Sequence, residues 1–192
     1  MSLWRGFFLW LLVAAPGYAV TAGPTPEPAS ASPLAPVAPV PLPPGVALWV
    51  SPLDHIEDEL IKVIDSAKVE ILCSQYVITS PRIVRALLEA FRTRHVFIGI
   101  ILESRPNLRD YQTPAYLRSN GIPVLLRAGP RGINNHKFWV IDRAFVLTGS
   151  YDCTMIAASA NDENLLKIQD VGLAVAYLNA WIEQSSRCTP VP

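Results

Sequence analysis

The chain has 192 residues, 51% of them hydrophobic, which suffices for one domain with a real core and excludes wholesale disorder. Lys plus Arg and Asp plus Glu both total 16, so there is no global positive field of the kind that drives bulk, sequence-independent binding to nucleic acid. Any anion site has to be local.

Residues 1–22 read as a secretory signal peptide, with Arg5 as the positive start, an apolar stretch over 6–13, and small residues at Ala19 and Ala22 for cleavage. An uncleaved membrane anchor is the alternative, but the apolar run falls short of the ~20 residues a spanning helix needs, and Pro16 interrupts it. Both readings export the chain, to the periplasm or as a secreted protein. Residues 23–45 are almost entirely Pro, Ala, Val, Thr and Ser, the composition of an extended linker with too little to bury. The folded domain is expected over 46–192.

Apolar periodicity then alternates. Residues 46–50 are a short strand candidate, and 55–67 carry Ile56, Leu60, Val63 and Ile64 at helical spacing behind an acidic first turn. Strand character returns over 69–78. Ser80 and Pro81 cap and open a helix through residue 92 with a stripe of Ile83, Val84, Leu87, Leu88 and Phe91. The continuous apolar run 96–102 reads as a strand covered on both faces, 113–120 as a short helix closed by Gly121, and 122–126 as the next strand. Strands at 137–141 and 145–148 flank a tight turn at 142–144, 165–168 is another strand, and 171–184 a final helix. This order predicts an α/β fold, a mixed sheet with helices on both faces.

The stretch 133–168, INNHKFWVIDRAFVLTGSYDCTMIAASANDENLLKI, carries the chemistry. Lys137 and Asp142 stand five residues apart, Gly149, Ser150 and Asp152 follow, and Asn161, Glu163 and Asn164 lead into an apolar strand. This pattern resembles the His-x-Lys-x(4)-Asp motif of the phospholipase D superfamily with its following Gly-Ser turn. Gln75, Tyr76, Thr79 and Ser80 before a helix resemble, more weakly, the first half of that fold, so the likeness spans 46–192 with one motif. The resemblance implies a phosphodiesterase that needs no metal or cofactor. It also implies a homodimer in which two motifs face each other, and a DNA or RNA substrate rather than a phospholipid.

Residues two apart in a strand share a face, so position 135 and Lys137 point together while His136 points away. The lysine offers fixed positive charge to phosphate oxygens, and Ser150 a hydrogen bond. By the resemblance position 135 is the nucleophile's place, Asp142 orients or supports, and Glu163 orients the nucleophile. Here that place holds Asn135, and a carboxamide neither forms a phospho-intermediate nor shuttles protons. Three explanations stand: a natural or engineered His-to-Asn change in a catalytic scaffold, a catalytically dead module that binds phosphodiesters of nucleic acid or anionic lipid headgroups, or rescue by His136 after a one-residue bulge. A dimer with a vestigial site is the bland reading.

Other residues have plainer readings. Asp142 and Asp152 sit in turns where aspartates bond their own backbone. His55 reads as a helix-start residue, His95 as a loop or strand-edge residue, and Phe138, Trp139 and Phe145 as core or interface. Arg105, Arg109, Arg118, Arg127 and Arg131 form either a phosphate track or ordinary solvated charge. Cys73, Cys153 and Cys188 match no metal spacing; Cys153 pairing with Cys188, with Cys73 a buried thiol, is one arrangement.

Overall fold

The structure, a computed structural model, describes residue 38 and residues 40–109, 112–129 and 132–191. The predicted signal peptide and most of the predicted linker lie outside these residues.

Fourteen elements are described, in the order β1 (Val46–Val50), α1 (Ile56–Ser66), β2 (Glu70–Gln75), α2 (Pro81–Arg94), β3 (Phe97–Glu103), α3 (Ser104–Arg109), α4 (Thr113–Ser119), β4 (Val124–Arg127), β5 (Phe138–Ile141), β6 (Phe145–Gly149), α5 (Met155–Ser159), β7 (Asn164–Gln169), α6 (Val171–Ser185) and β8 (Thr189–Pro190). The strands form one sheet in the order β1-β7-β6-β5-β2-β3-β4-β8. β2, β3 and β4 run parallel, joined by helical crossovers. β5 is antiparallel to β2, and β6, β7 and β1 continue antiparallel from it.

Local chemistry explains the main helices. Ser80 accepts the Ile83 N–H and Pro81 occupies the first turn of α2, while Asp170 accepts the Leu173 N–H at the start of α6. The helix α2 runs two residues further than predicted and closes on His95, whose φ of 55° is the left-handed cap conformation; His95 is thus a C-cap and not a strand edge. Gly121, at φ 93°, follows α4, where a side chain would be strained.

The two faces of the sheet are unequally covered. On one, α1, α2, α4 and α5 bury Leu60, Ile64, Leu87, Leu117 and Ala157 against Ile71, Ile100, Trp139 and Leu147. On the other, α6 is the one described helix, laying Leu173, Ala174, Tyr177 and Trp181 over Leu72, Phe138, Val140 and Val146. The helix is apolar around most of its circumference and leaves Val171, Val175 and Ile182 exposed.

All three cysteines are free thiols, so the pairing of Cys153 with Cys188 is not formed. Cys153 is fully buried beside Ile78, with which it makes an isolated bridge, whereas Cys188 follows α6 and donates from Sγ to the Gln184 carbonyl at 3.2 Å. Burial pushes the thiols of Cys73 and Cys153 far above their ordinary range.

Candidate active site

The site forms where the segment leading into β5, the end of β6 and the start of β7 meet the carboxyl end of β2. Lys137 Nζ donates to Asn135 Oδ1 at 2.9 Å, lies 3.6 Å from Asp152 Oδ2, and stands 5.9 Å from the centroid of the Tyr76 ring. The alternation expected of an extended strand is therefore realised: positions 135 and 137 share a face. His136 packs its ring 5.5 Å from that of Phe138, which in turn meets Tyr177 edge-on at 4.9 Å, on the α6 side. A cleft of about 370 Å³ opens there between Asn135, His136, Lys137, Thr148, Tyr177 and Ala180.

The second wall is a loop of polar residues. Ser150 Oγ donates to Glu163 Oε2 and accepts the Asn164 N–H at 3.0 Å, and Asn161 Nδ2 donates to Glu163 Oε1 at 3.0 Å. Glu163, 9% exposed, is thus satisfied by neighbours in its own loop. Gly149 is required because a Cβ there would overlap the Asn164 carbonyl, which accepts the Ser150 N–H at 3.1 Å. Ser51, just after β1, fixes the same loop by accepting the Glu163 N–H at 2.9 Å and donating to the Asn161 carbonyl at 2.8 Å.

Asp152 is the electrostatically stressed member. Burial holds its carboxyl above the usual carboxylate range, Lys137 pulls it down, and nearby Glu163 pushes it up. Its Oδ1 is buried without a hydrogen-bond partner among the described residues. The Tyr151 hydroxyl is in the same condition, and burial pushes its pKa far above the ordinary phenol range.

Asp142 is not brought to this cluster. It stands five strand residues from Lys137, about 16 Å at strand rise, and its carboxylate accepts the backbone N–H groups of Lys68, Val69 and Glu70 at 2.9, 2.8 and 2.9 Å. With φ of 52° and 53°, Asp142 and Arg143 both sit in the left-handed region that a primed hairpin turn needs. Its bonds thus go to another segment's backbone and not to its own.

Beneath the site lies a buried polar network absent from the sequence reasoning. Glu103 at the end of β3 accepts the Asn134 N–H at 2.6 Å, Asn134 Nδ2 donates to Ser74 Oγ and the Gln75 carbonyl at 3.1 Å each, and Ser74 Oγ donates to Gln184 Oε1 at 2.9 Å. A carboxylate ending the apolar run of β3 was the one signal of it in the sequence.

The arginines divide. Arg105 lies 3.9 Å from Glu103, and Arg127 ends β4 and bonds the Ala128 carbonyl, both at the site's end of the sheet. Arg118 lies on α4 beside Gly121 and Pro123, at the opposite end of the parallel strands. The Arg109 side chain and Arg131 fall outside the described residues. Phe138 and Trp139 are buried in the two cores, and Phe145 is half-buried under Lys167, 4.6 Å from its ring centroid.

Comparison with known proteins agrees with this geometry. Residues 60–185 match the family model described as cardiolipin synthase, PLD-like domain. A phospholipase D from Rickettsia bellii is 34% identical over 125 residues, which is 65% of this chain and 61% of that protein, so the chain matches about three fifths of that relative's length. Among solved structures, the phospholipase D family member Nuc from Salmonella typhimurium superposes with a TM-score of 0.71 at 29% identity, covering 76% of this chain and 97% of Nuc. NucT from Helicobacter pylori gives 0.69 at 26% identity, covering 76% of this chain and 98% of NucT. With one motif, this fold and these relatives, the chain belongs to the phospholipase D superfamily, in its small single-motif branch.

Proposed function

We propose that the chain is a phosphodiester-binding member of the superfamily, built as a metal-independent, nuclease-type phosphodiesterase and impaired as written by Asn135. One observation carries the reading: Lys137 converges with Asn135, Asp152 and Tyr76 at the carboxyl end of β2, beside the Ser150–Glu163 loop. A partly buried ammonium with the Asn135 carboxamide beside it suits a phosphodiester's non-bridging oxygens. By analogy with loss of a protease nucleophile, Asn135 lowers turnover on the order of 10⁴ to 10⁶.

DNA or RNA is the proposed substrate class, in keeping with the near-complete overlap with the small chains of Nuc and NucT. Two chains are proposed to pair as a homodimer, each supplying one motif, with residues 1–22 as an export signal and 23–45 as a linker. No helix among the described residues is long and apolar enough to cross a membrane. The second reading, a binding module without catalysis, is favoured by Asn135 itself.

Fluorescence anisotropy with labelled single-stranded DNA in EDTA, using the full chain, tests the binding. The expected result is saturable binding weakened about tenfold or more by Lys137→Ala. Equal binding by both forms, or preference for anionic vesicles over DNA, contradicts the nucleic-acid reading.

A further inference from the structure

The pairing at the centre of the site has a consequence for what it binds and when. Lys137 Nζ already has three neighbours: the Asn135 carboxamide oxygen at 2.9 Å, Asp152 Oδ2 at 3.6 Å, and the Tyr76 ring. Both charged side chains are largely shielded, at 14% and 26% exposure, so water screens their attraction only in part. A phosphodiester approaching Lys137 meets a lysine whose charge is compensated, and it meets the carboxylates of Asp152 and Glu163 as like charges.

We infer that Asp152 is an internal competitor for Lys137: its carboxylate occupies the ammonium that a phosphodiester anion would take, and protonation of Asp152 releases the lysine to the ligand. The inference rests on the phosphodiester reading of this site. It makes Asp152 a residue that sets anion affinity and makes that affinity rise as pH falls.

The surroundings of Asp152 support this direction. Its Oδ1 is buried with no partner among the described residues, a costly place for a carboxylate oxygen and a tolerable one for a neutral acid. The charged groups facing it are Lys137, from the segment before β5, and Glu163, from the loop before β7. Among the described residues, Lys137 is the one that favours the charged form. Once an anion engages Lys137, that support is shared and the burial penalty and Glu163 both favour the proton on Asp152. His136 lies on the other face, against Phe138.

Calorimetric titration of the full chain with bis(p-nitrophenyl) phosphate, which keeps a single negative charge across the range, tests the inference at about pH 8 and about pH 5. The unsubstituted chain is expected to bind about tenfold more tightly at the lower pH. Asp152→Asn is expected to bind at the higher pH as tightly as the natural chain does at the lower, with little pH dependence of its own; this flat profile separates Asp152 from Glu163. Equal, pH-independent affinities for the natural chain and Asp152→Asn, with Lys137→Ala weaker than both, overturn the competitor role and leave the phosphodiester site standing. Affinities unaffected by Lys137→Ala overturn both. If Asp152→Asn fails to fold, the pH profile of the natural chain still decides, since a flat or inverted profile contradicts the inference.

Discussion

The Glu103 carboxylate, 2% exposed at the end of β3, accepts the backbone N–H of Asn134, one residue before the nucleophile position. Asn134 then ties the same segment to β2 through Ser74 and the Gln75 carbonyl, and Ser74 reaches Gln184 on α6. The segment holding Asn135 and Lys137 is thereby fixed from below by groups that water cannot replace. Asn134→Ala leaves buried donors and acceptors unpaired and is expected to destabilise the fold by about 1–3 kcal/mol in urea denaturation. A loss within error contradicts the anchoring role.

Asp142 straps the turn between β5 and β6 to the approach to β2 through three backbone N–H groups. Asp142→Ala removes these acceptors and places alanine at a left-handed φ of 52°, so about 1–3 kcal/mol of stability is expected to go. Asp142→Asn keeps one acceptor oxygen and tolerates that backbone, and the same thermal or denaturant measurement is expected to show a smaller loss. Equal losses contradict the strap.

Asp152 gives stability a definite pH sign. Its carboxyl lies above the ordinary carboxylate range in the folded chain, chiefly through burial, so between the unfolded and folded values the folded state holds more protons. Its contribution therefore favours folding at low pH and is lost as pH rises through that window. Thermal melts of the natural chain and Asp152→Asn across the carboxylate range are expected to diverge as pH rises, the Asn form gaining relative stability. A gap that widens as pH falls contradicts the assignment.

Each chain carries one motif, with Asn135 exposed at the cleft beside Tyr177 and Ala180, and the proposed homodimer would bring two such clefts together. Sedimentation equilibrium of the full chain is expected to give a dimer at micromolar concentration. A stable monomer contradicts a shared site.

Strand and helix order was legible wherever apolar periodicity was strong, and most boundaries fell within two residues, helped by the local punctuation of Ser80-Pro81 and Gly121. The elements missed are α3, α5 and β8, each six residues or fewer and without an apolar period. Motif spacing pointed to Lys137, Ser150, Asp152 and Glu163, and the fold places Lys137 beside Asp152 and Ser150 against Glu163, with His136 on the other face as strand alternation predicts. The Glu103–Asn134–Ser74–Gln184 network and the role of Ser51 were not, because they join residues up to about 110 positions apart that only the fold brings together. Asp142 looked like a turn aspartate; its strap to residues 68–70 depends on β5 lying beside β2, a pairing no local pattern announces.

On the reading proposed above, the scaffold keeps its phosphodiesterase machinery and lacks the nucleophile. Hydrolysis of bis(p-nitrophenyl) phosphate and plasmid DNA in EDTA, by the full chain and by Asn135→His, tests it most directly. Metal-independent turnover is expected in the histidine form and, in the chain with Asn135, a rate lower by on the order of 10⁴ or more. Turnover in neither form, with the histidine variant folded, contradicts it, and equal turnover in both would place the nucleophile elsewhere.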